Sequence, residues 1–461
     1  MRTKQKSVDV QAFIDSHGIS PYQILILVLC GLVVFLDGFN TQVIGYLAPV
    51  LTKAFSLPRS ALGWIFSSGL AGLMAGFLLL APLADRFGRK PVMVACTAMF
   101  GLFTILTTWA NSNETLIVAR FLTGVGLGGA MPNAFALTGE YCPKRWRATM
   151  VVVMSCGLSL GSIAAGLLSA QMLNNLGWQG VLWLGGLTPL IIAVALQILL
   201  PESLNFLALK QGHSARIAKV FKAIDKAADV DASTEFTTPE KASKGVPVVQ
   251  LFAERRMVGT ILLWVLFFIN LLDLYFIQNW LPTIFTDGGM AVKTAIQITT
   301  LAMVGGVVAA IATGPLMDRL GPYVILTALF IGGAISMAAI GLAPTSSITA
   351  IMATTFCAGF FVAGAQKSAN ALAVVFYPTA IRSSGVGWAL GIGRVGSIVG
   401  PLAAGWIISN GWSHEALFYA AAAPLLIAAA AAFAMEQIYG RRRLAANAAA
   451  QAASGEAVAQ S

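Results

Sequence analysis

Charge is what this chain of 461 residues has least of. Only 10% of its residues are Asp, Glu, Lys or Arg, while 57% are apolar and the mean hydropathy is +0.79. A soluble globular domain carries roughly 25% charged residues, so a chain this poor in charge is a polytopic membrane protein. Histidine is scarce as well: His17, His213 and His414 are the only three, and all lie outside the apolar runs. A proton carried at membrane depth must therefore ride on a carboxylate. The five cysteines (Cys30, Cys96, Cys142, Cys156 and Cys357) fall within apolar runs or at their cytoplasmic ends, which implies no disulfide framework. There is no Walker loop, no metal-ligand cluster, and no Ser, Cys or Lys nucleophile with a base at recognisable spacing. ATP-driven transport, metal chemistry and covalent catalysis are thereby disfavoured, and no cofactor is expected. No cleavable signal peptide is visible either; the first apolar run, beginning near Ile24, is too long for a signal core and stays as a span.

What is present is twelve apolar runs, near residues 23–48, 61–82, 92–110, 115–138, 148–172, 180–200, 257–283, 294–316, 323–342, 347–374, 383–409 and 416–437. The formal net charge of +10 does not indicate a nucleic-acid partner, because the bases are sorted by side. With the N-terminus inside, cytoplasmic segments hold 23 of the 29 Lys and Arg, and the opposite face holds only Lys53, Arg59 and Lys293. That asymmetry places both termini in the cytoplasm. The expected organisation is a cytoplasmic segment 1–22, a six-helix bundle 23–200, a cytoplasmic linker 201–256, a second six-helix bundle 257–438 and a tail 439–461. The linker reads as an amphipathic helix on the membrane surface followed by a flexible Ser/Thr/Pro/Lys-rich stretch.

The two halves repeat each other. ADRFGRKPV at 84–92 follows the second run, and MDRLGPYV at 317–324 follows the eighth; Pro82 and Pro315 each lie three residues before the aspartate. Pro143 and Arg147 precede GSIAAG at 161–166 with the spacing by which Pro378 and Arg382 precede GSIVGP at 396–401. Two parallel six-span repeats are the arrangement of the major facilitator type of transporter. The expected fold is therefore an all-α membrane protein of twelve transmembrane helices in two pseudo-symmetric six-helix bundles.

Few residues at membrane depth carry chemistry. Asp37 interrupts LVVFLDGFNTQVIGYLA, and Asp273 interrupts LLWVLFFINLLDLYFIQNW; both are candidates for proton coupling, since an ionisable group there costs about 2.5 kcal/mol or more. Arg120 lies in ARFLTGVGLGGAMPN, whose glycines superficially resemble a dinucleotide loop. No strand precedes them, so they read as close helix contacts. Arg120 itself is open to structural pairing or a direct role. Arg394 has Ser159 as its counterpart in the first half, so the repeat does not require a charge there. Anion binding is the favoured reading and a structural ion pair the alternative. Lys367 lies ten residues before Tyr377, about 15 Å along the helix and beyond easy snorkelling, with Gln366 and Asn370 beside it. These three, with Asn40, Arg120 and Arg394, are the candidate substrate-binding residues. Asp85, Arg86, Gly88, Arg89 and Lys90, with the echo Asp318 and Arg319, form a tight cytoplasmic turn whose charges can pair with a neighbouring span and hold a gate. Plain positive-inside anchoring is the alternative.

FLDGFNTQVIGYLAP at 35–49, LADRFGRK, RFLTGVGLGGAMPNA, LPES at 200–203 and GIGRVGSIVGP together resemble the aromatic acid:proton symporter family of the major facilitator superfamily. These are bacterial inner-membrane permeases for 4-hydroxybenzoate, protocatechuate and related acids. The resemblance runs from about Val8 to Gly405. It implies proton-coupled uptake of an aromatic carboxylate by a functional monomer in the lipid bilayer, with Asp37 required for transport; it also covers the DRFGRK residues, Arg120 and Arg394. Asn40 departs from the pattern, which usually has a second aspartate there, and Asp273 and Lys367 are additional charges. The rivals are a proton-coupled exporter of aromatic compounds or drugs, an importer of muconate or another organic acid, a non-transporting sensor, and a membrane enzyme. The absence of a Gly-Pro pair from GLSLGSIAAG disfavours export, and the tail is too short for a signalling domain.

Overall fold

The computed structural model describes residues 7–440 apart from 81, 211–212, 232–233, 238–247, 254–255, 344–346 and 378–380; the side chains of 148, 152, 318 and 383 also lie outside the described set. The long helices are α2 (Pro21–Ala54), α3 (Arg59–Leu79), α5 (Arg89–Leu106), α6 (Asn113–Tyr141), α7 (Lys144–Leu199), α10 (Met257–Asp287), α11 (Val292–Leu320), α12 (Pro322–Leu342), α13 (Ile348–Phe376), α14 (Arg382–Ser409) and α15 (His414–Met435). Short helices α1 (Val10–Ser16), α4 (Leu83–Phe87), α8 (Leu204–Leu209) and α9 (Ser214–Ile224), and strands β1 (Ser7–Asp9) and β2 (Glu235–Thr237), complete the set. Eleven helices among the described residues are long and apolar enough to cross a membrane. One of them, α7, is two spans: Gly177 breaks it with φ 65°, a left-handed backbone that glycine adopts without penalty. Twelve spans result.

Polar residues at the helix ends set where the spans begin. Ser20 caps α2 and Ser112 caps α6, each in a reciprocal capping box, with Gln23 and Thr115 returning the bond. Pro21 occupies the first turn of α2, where its missing N–H costs nothing. Ser347 and Ser413 cap α13 and α15.

The chain divides into two units, Met1–Lys244 with Met290–Gln297, and Gly245–Gly289 with Ile298–Ser461. In the first, α2 packs along α7 and α3 along α6; in the second, α10 packs along α14. The seams are built from glycine against backbone, because only a missing Cβ allows helices this close without a hydrophobic driving force. A side chain on Gly161 would meet the Phe35 carbonyl and one on Gly72 the Phe121 carbonyl; in the second unit Gly396 meets the Phe268 carbonyl and Gly305 the Phe356 carbonyl. The same seams recur at the same register, so the repeat seen in the loops extends through the spans.

A cap built from the N-terminal segment closes one end of the first unit. β1 pairs in parallel with β2, and the apolar face of α9 (Ile217, Val220, Phe221 and Ile224) is buried with Val10, Ile14 and Phe236. Phe13 stacks on Phe221 with ring centroids 4.0 Å apart. The amphipathic helix expected on the membrane surface thus spends its apolar face on the protein, because the N-terminal segment supplies a partner for it. Asp15 ties this segment down by accepting from the Lys144 N–H at 2.8 Å and the Gln11 amide at 2.9 Å. Burial draws the Asp15 carboxyl upward, but those hydrogen bonds and the Lys144 ammonium outweigh it and hold the group below its usual value.

Candidate functional site

Two groups of polar residues are built inside the first unit. The deeper one surrounds Asp37 and Asn40, both buried midway along α2. Thr41 Oγ1 donates to the Asp37 carboxylate at 3.0 Å. Asn40 is saturated: its amide donates to the Leu36 and Gly185 carbonyls at 3.1 and 3.0 Å, and its side-chain oxygen accepts from Thr104 at 2.9 Å. Arg120 reaches the same turn from α6, its Nη2 donating to the Asn40 carbonyl at 3.0 Å, while Nε and Nη1 are buried with no partner among the described residues. With only 3% of its surface exposed, Arg120 is a largely unneutralised cation beside a carboxylate-bearing helix. Such an arrangement is expensive at membrane depth, which marks Arg120 as a candidate functional residue.

The second group lies at the end of the unit that carries the N-terminal cap. Gly88 turns the chain between α4 and α5 with φ 101°, and a Cβ there would also strike the Glu202 carboxylate. That carboxylate accepts from the N–H groups of Arg89 at 2.8 Å and Lys90 at 3.1 Å, at the positive N-terminus of α5. The Arg89 guanidinium is paired with Glu140 on α6, and Ser203 Oγ donates to Glu140 at 2.6 Å. Tyr141 donates to the Glu202 carbonyl at 2.7 Å, and Lys210 Nζ to the Arg86 carbonyl at 3.0 Å. Asp85 and Arg86 are exposed. The turn is thus latched to the LPES stretch. Glu140, Glu202 and Ser203 were not among the residues singled out from sequence, although an acid ending a span just before CPKRWR is itself a signal.

In the second unit, Arg394 on α14 donates to the Tyr275 hydroxyl at 3.0 Å and has no acidic partner among the described residues. Lys367 on α13 donates to the Gly306 carbonyl at 3.3 Å. Gln366 donates to Asn370 at 3.1 Å while its own carbonyl oxygen is buried without a donor among the described residues. Asp273 is fully buried on α10. Arg319 is exposed, and Gly321 repeats the positive-φ turn of Gly88 at 88°; the Asp318 side chain lies outside the described residues.

Carrying the glycine register across the repeat pairs Asp37 with Asn270, Asn40 with Asp273, Arg120 with Thr355, Lys367 with Pro132, and Arg394 with Ser159. The backbone seams are kept and every ionisable residue in them is different.

These features define a membrane transporter: twelve spans in two repeated sets of six, with ionisable residues at depth and a latched turn at one end of the first set. The model of the family described as "Sugar (and other) transporter" matches residues 15–439, and the chain belongs to that family of major facilitator transporters, which are not enzymes. It is 39% identical over 420 residues to the 4-hydroxybenzoate transporter PcaK of Pseudomonas aeruginosa, covering 90% of this chain and 93% of that one. It is 41% identical over 421 residues to a gallate transporter of Pseudomonas putida, covering 90% and 92%. Among solved structures, a bacterial homologue of the human lysosomal transporter Spinster, inward-facing and unoccupied, superposes with a TM-score of 0.71 at 16% identity over 92% of this chain and 99% of that one, which establishes the fold.

Proposed function

We propose that this chain imports an aromatic carboxylate, a hydroxybenzoate or a near relative, together with protons, across the bacterial inner membrane with both termini in the cytoplasm. The observation that carries the reading is Arg394: a guanidinium at span depth resting on the hydroxyl of Tyr275, where a structural arginine would face an acid. An incoming carboxylate supplies the missing charge, and Tyr275 orients the fork. The relatives that transport 4-hydroxybenzoate and gallate support the cargo class. Gln366, Asn370 and Lys367 offer hydrogen bonds for ring hydroxyls, whereas Asn40 is already satisfied within its own bundle.

An aromatic acid is an anion at neutral pH, and its entry against an inside-negative potential is opposed by about 2.3 kcal/mol per 100 mV. Asp37 takes up the compensating proton on the outer side and releases it on the inner side. The bundles 23–200 and 257–438 exchange access alternately as a monomer, with the turn at Asp85 to Lys90 and its repeat at Asp318 and Arg319 holding the cytoplasmic side. The test uses purified protein in proteoliposomes with radiolabelled 4-hydroxybenzoate. Asp37→Asn is expected to retain exchange of internal for external substrate and to lose accumulation driven by a pH gradient. Arg394→Ser is expected to raise the half-saturating concentration about 10- to 100-fold, the loss of one or two charge-assisted hydrogen bonds. Full pH-driven accumulation by Asp37→Asn, or unaltered affinity in Arg394→Ser, overturns the assignment.

A further inference from the structure

Asp273 is fully buried midway along α10, and neither carboxyl oxygen meets a donor among the described residues. The elements packed most extensively against α10 are α13, α14, α15 and the turn Val248–Phe252, and α11 meets it where Gln278 touches Met303. From α14 comes Arg394, bonded to Tyr275; from α13 comes Lys367, bonded to the Gly306 carbonyl. Tyr419 and Glu415, near the start of α15, bond each other at an exposed position, and Val248–Phe252 carries no ionisable side chain. The contrast with the first unit is direct. The equivalent slot there holds Asn40, whose side chain makes three hydrogen bonds. The fold therefore fills this slot well with a neutral amide, and an acid placed in it with nothing to pair with is not there for packing. A charged carboxylate so enclosed is costly, and a carboxyl that carries a proton costs far less.

We infer that Asp273 is a second proton carrier, so that two protons accompany each aromatic monoanion. This rests on the import reading above and adds its stoichiometry. An O–H bond forms on Asp273 with a proton from the outer aqueous phase and breaks to release that proton to the cytoplasm. One anion and two protons move a net charge of +1 inward, so the membrane potential itself drives uptake. At 100 mV one such charge multiplies the attainable accumulation by about fifty-fold.

The experiment measures 4-hydroxybenzoate accumulation by the full chain in proteoliposomes under a potassium diffusion potential, inside negative, with no pH gradient. Wild type is expected to accumulate the substrate, and Asp273→Asn to lose that response while keeping both exchange and pH-driven uptake. The double variant Asn40→Asp with Asp273→Asn, which moves the carboxyl to the equivalent slot, is expected to regain at least part of the response. Wild-type uptake indifferent to potential overturns the inference, as does a full response in Asp273→Asn. Loss of exchange in Asp273→Asn overturns it too, since the residue would then serve the fold or the substrate. Failure of wild type to exchange 4-hydroxybenzoate or any related aromatic acid defeats the import reading itself, and is distinguished from the other outcomes by that assay alone.

Discussion

Glu202→Ala should release the N-terminus of α5 from the LPES stretch, and the size of the effect follows from the geometry. The Glu202 carboxylate accepts from two consecutive backbone N–H groups, Arg89 at 2.8 Å and Lys90 at 3.1 Å, at a helix end that carries partial positive charge. Hydrogen bonds to a charged group contribute about 1.5–3 kcal/mol each when buried. This carboxylate is only half-buried and water would replace part of the loss, so a net change of about 2 kcal/mol for the pair is expected. A local opening made easier by that amount exchanges its amides about 30-fold faster. Hydrogen–deuterium exchange read by mass spectrometry on peptides covering 83–95 reports those two amides directly. Glu202→Gln keeps one acceptor oxygen and loses the charge, so its acceleration should fall short of ten-fold. The Arg89–Glu140 pair survives in both variants and keeps α5 beside α6. An acceleration below about three-fold in Glu202→Ala, or equal behaviour of the two variants, would refute the view that this carboxylate holds the turn.

Two further outcomes follow from the packing and the cap. Gly396→Val places a side chain against the Phe268 carbonyl and should cost about 1–3 kcal/mol or more, whereas Gly391→Val, in the same helix with open space around it, should be tolerated; thermal unfolding in detergent compares the two, and equal melting temperatures would contradict the seam. The cap should be acid-labile. Because the Asp15 carboxyl is held below its ordinary value of 3.8 in the folded chain, its contribution is complete above that pH and fades as pH falls through the lower folded value. Protease access to the N-terminal segment should therefore stay constant from pH 7 to 5 and rise only in strong acid.

The spans were readable because a membrane span needs a long run of apolar residues, and the repeat showed itself in matched loops at Asp85 and Asp318. The Gly177 break was legible too, falling between the runs 148–172 and 180–200, although α7 runs on by hydrogen bonding and only the backbone angle separates its two spans. The partners of the DRFGRK turn were not legible, since pairing Arg89 with Glu140 and the α5 terminus with Glu202 depends on how distant helices pack rather than on spacing along the chain. The same limit applied to the linker. Periodicity marked α9 as amphipathic, but whether lipid or Val10 and Ile14 would cover it depended on a short N-terminal segment with little signal of its own. The equivalence of Asn40 and Asp273 came from the glycine seams, because no matched motif marks α2 against α10 in the sequence itself.

Those seams have a practical meaning for anyone who alters this molecule. Each half is a natural trial of the other half's chemistry on nearly the same backbone. Asn270 occupies the setting of Asp37, Asn40 that of Asp273, Thr355 that of Arg120 and Ser159 that of Arg394. A neutral side chain has already been accommodated at the mirror position of each of these groups. The chain thus carries its own matched controls, and the exchange Asp to Asn or Arg to Ser separates the loss of a charge from the loss of a fold.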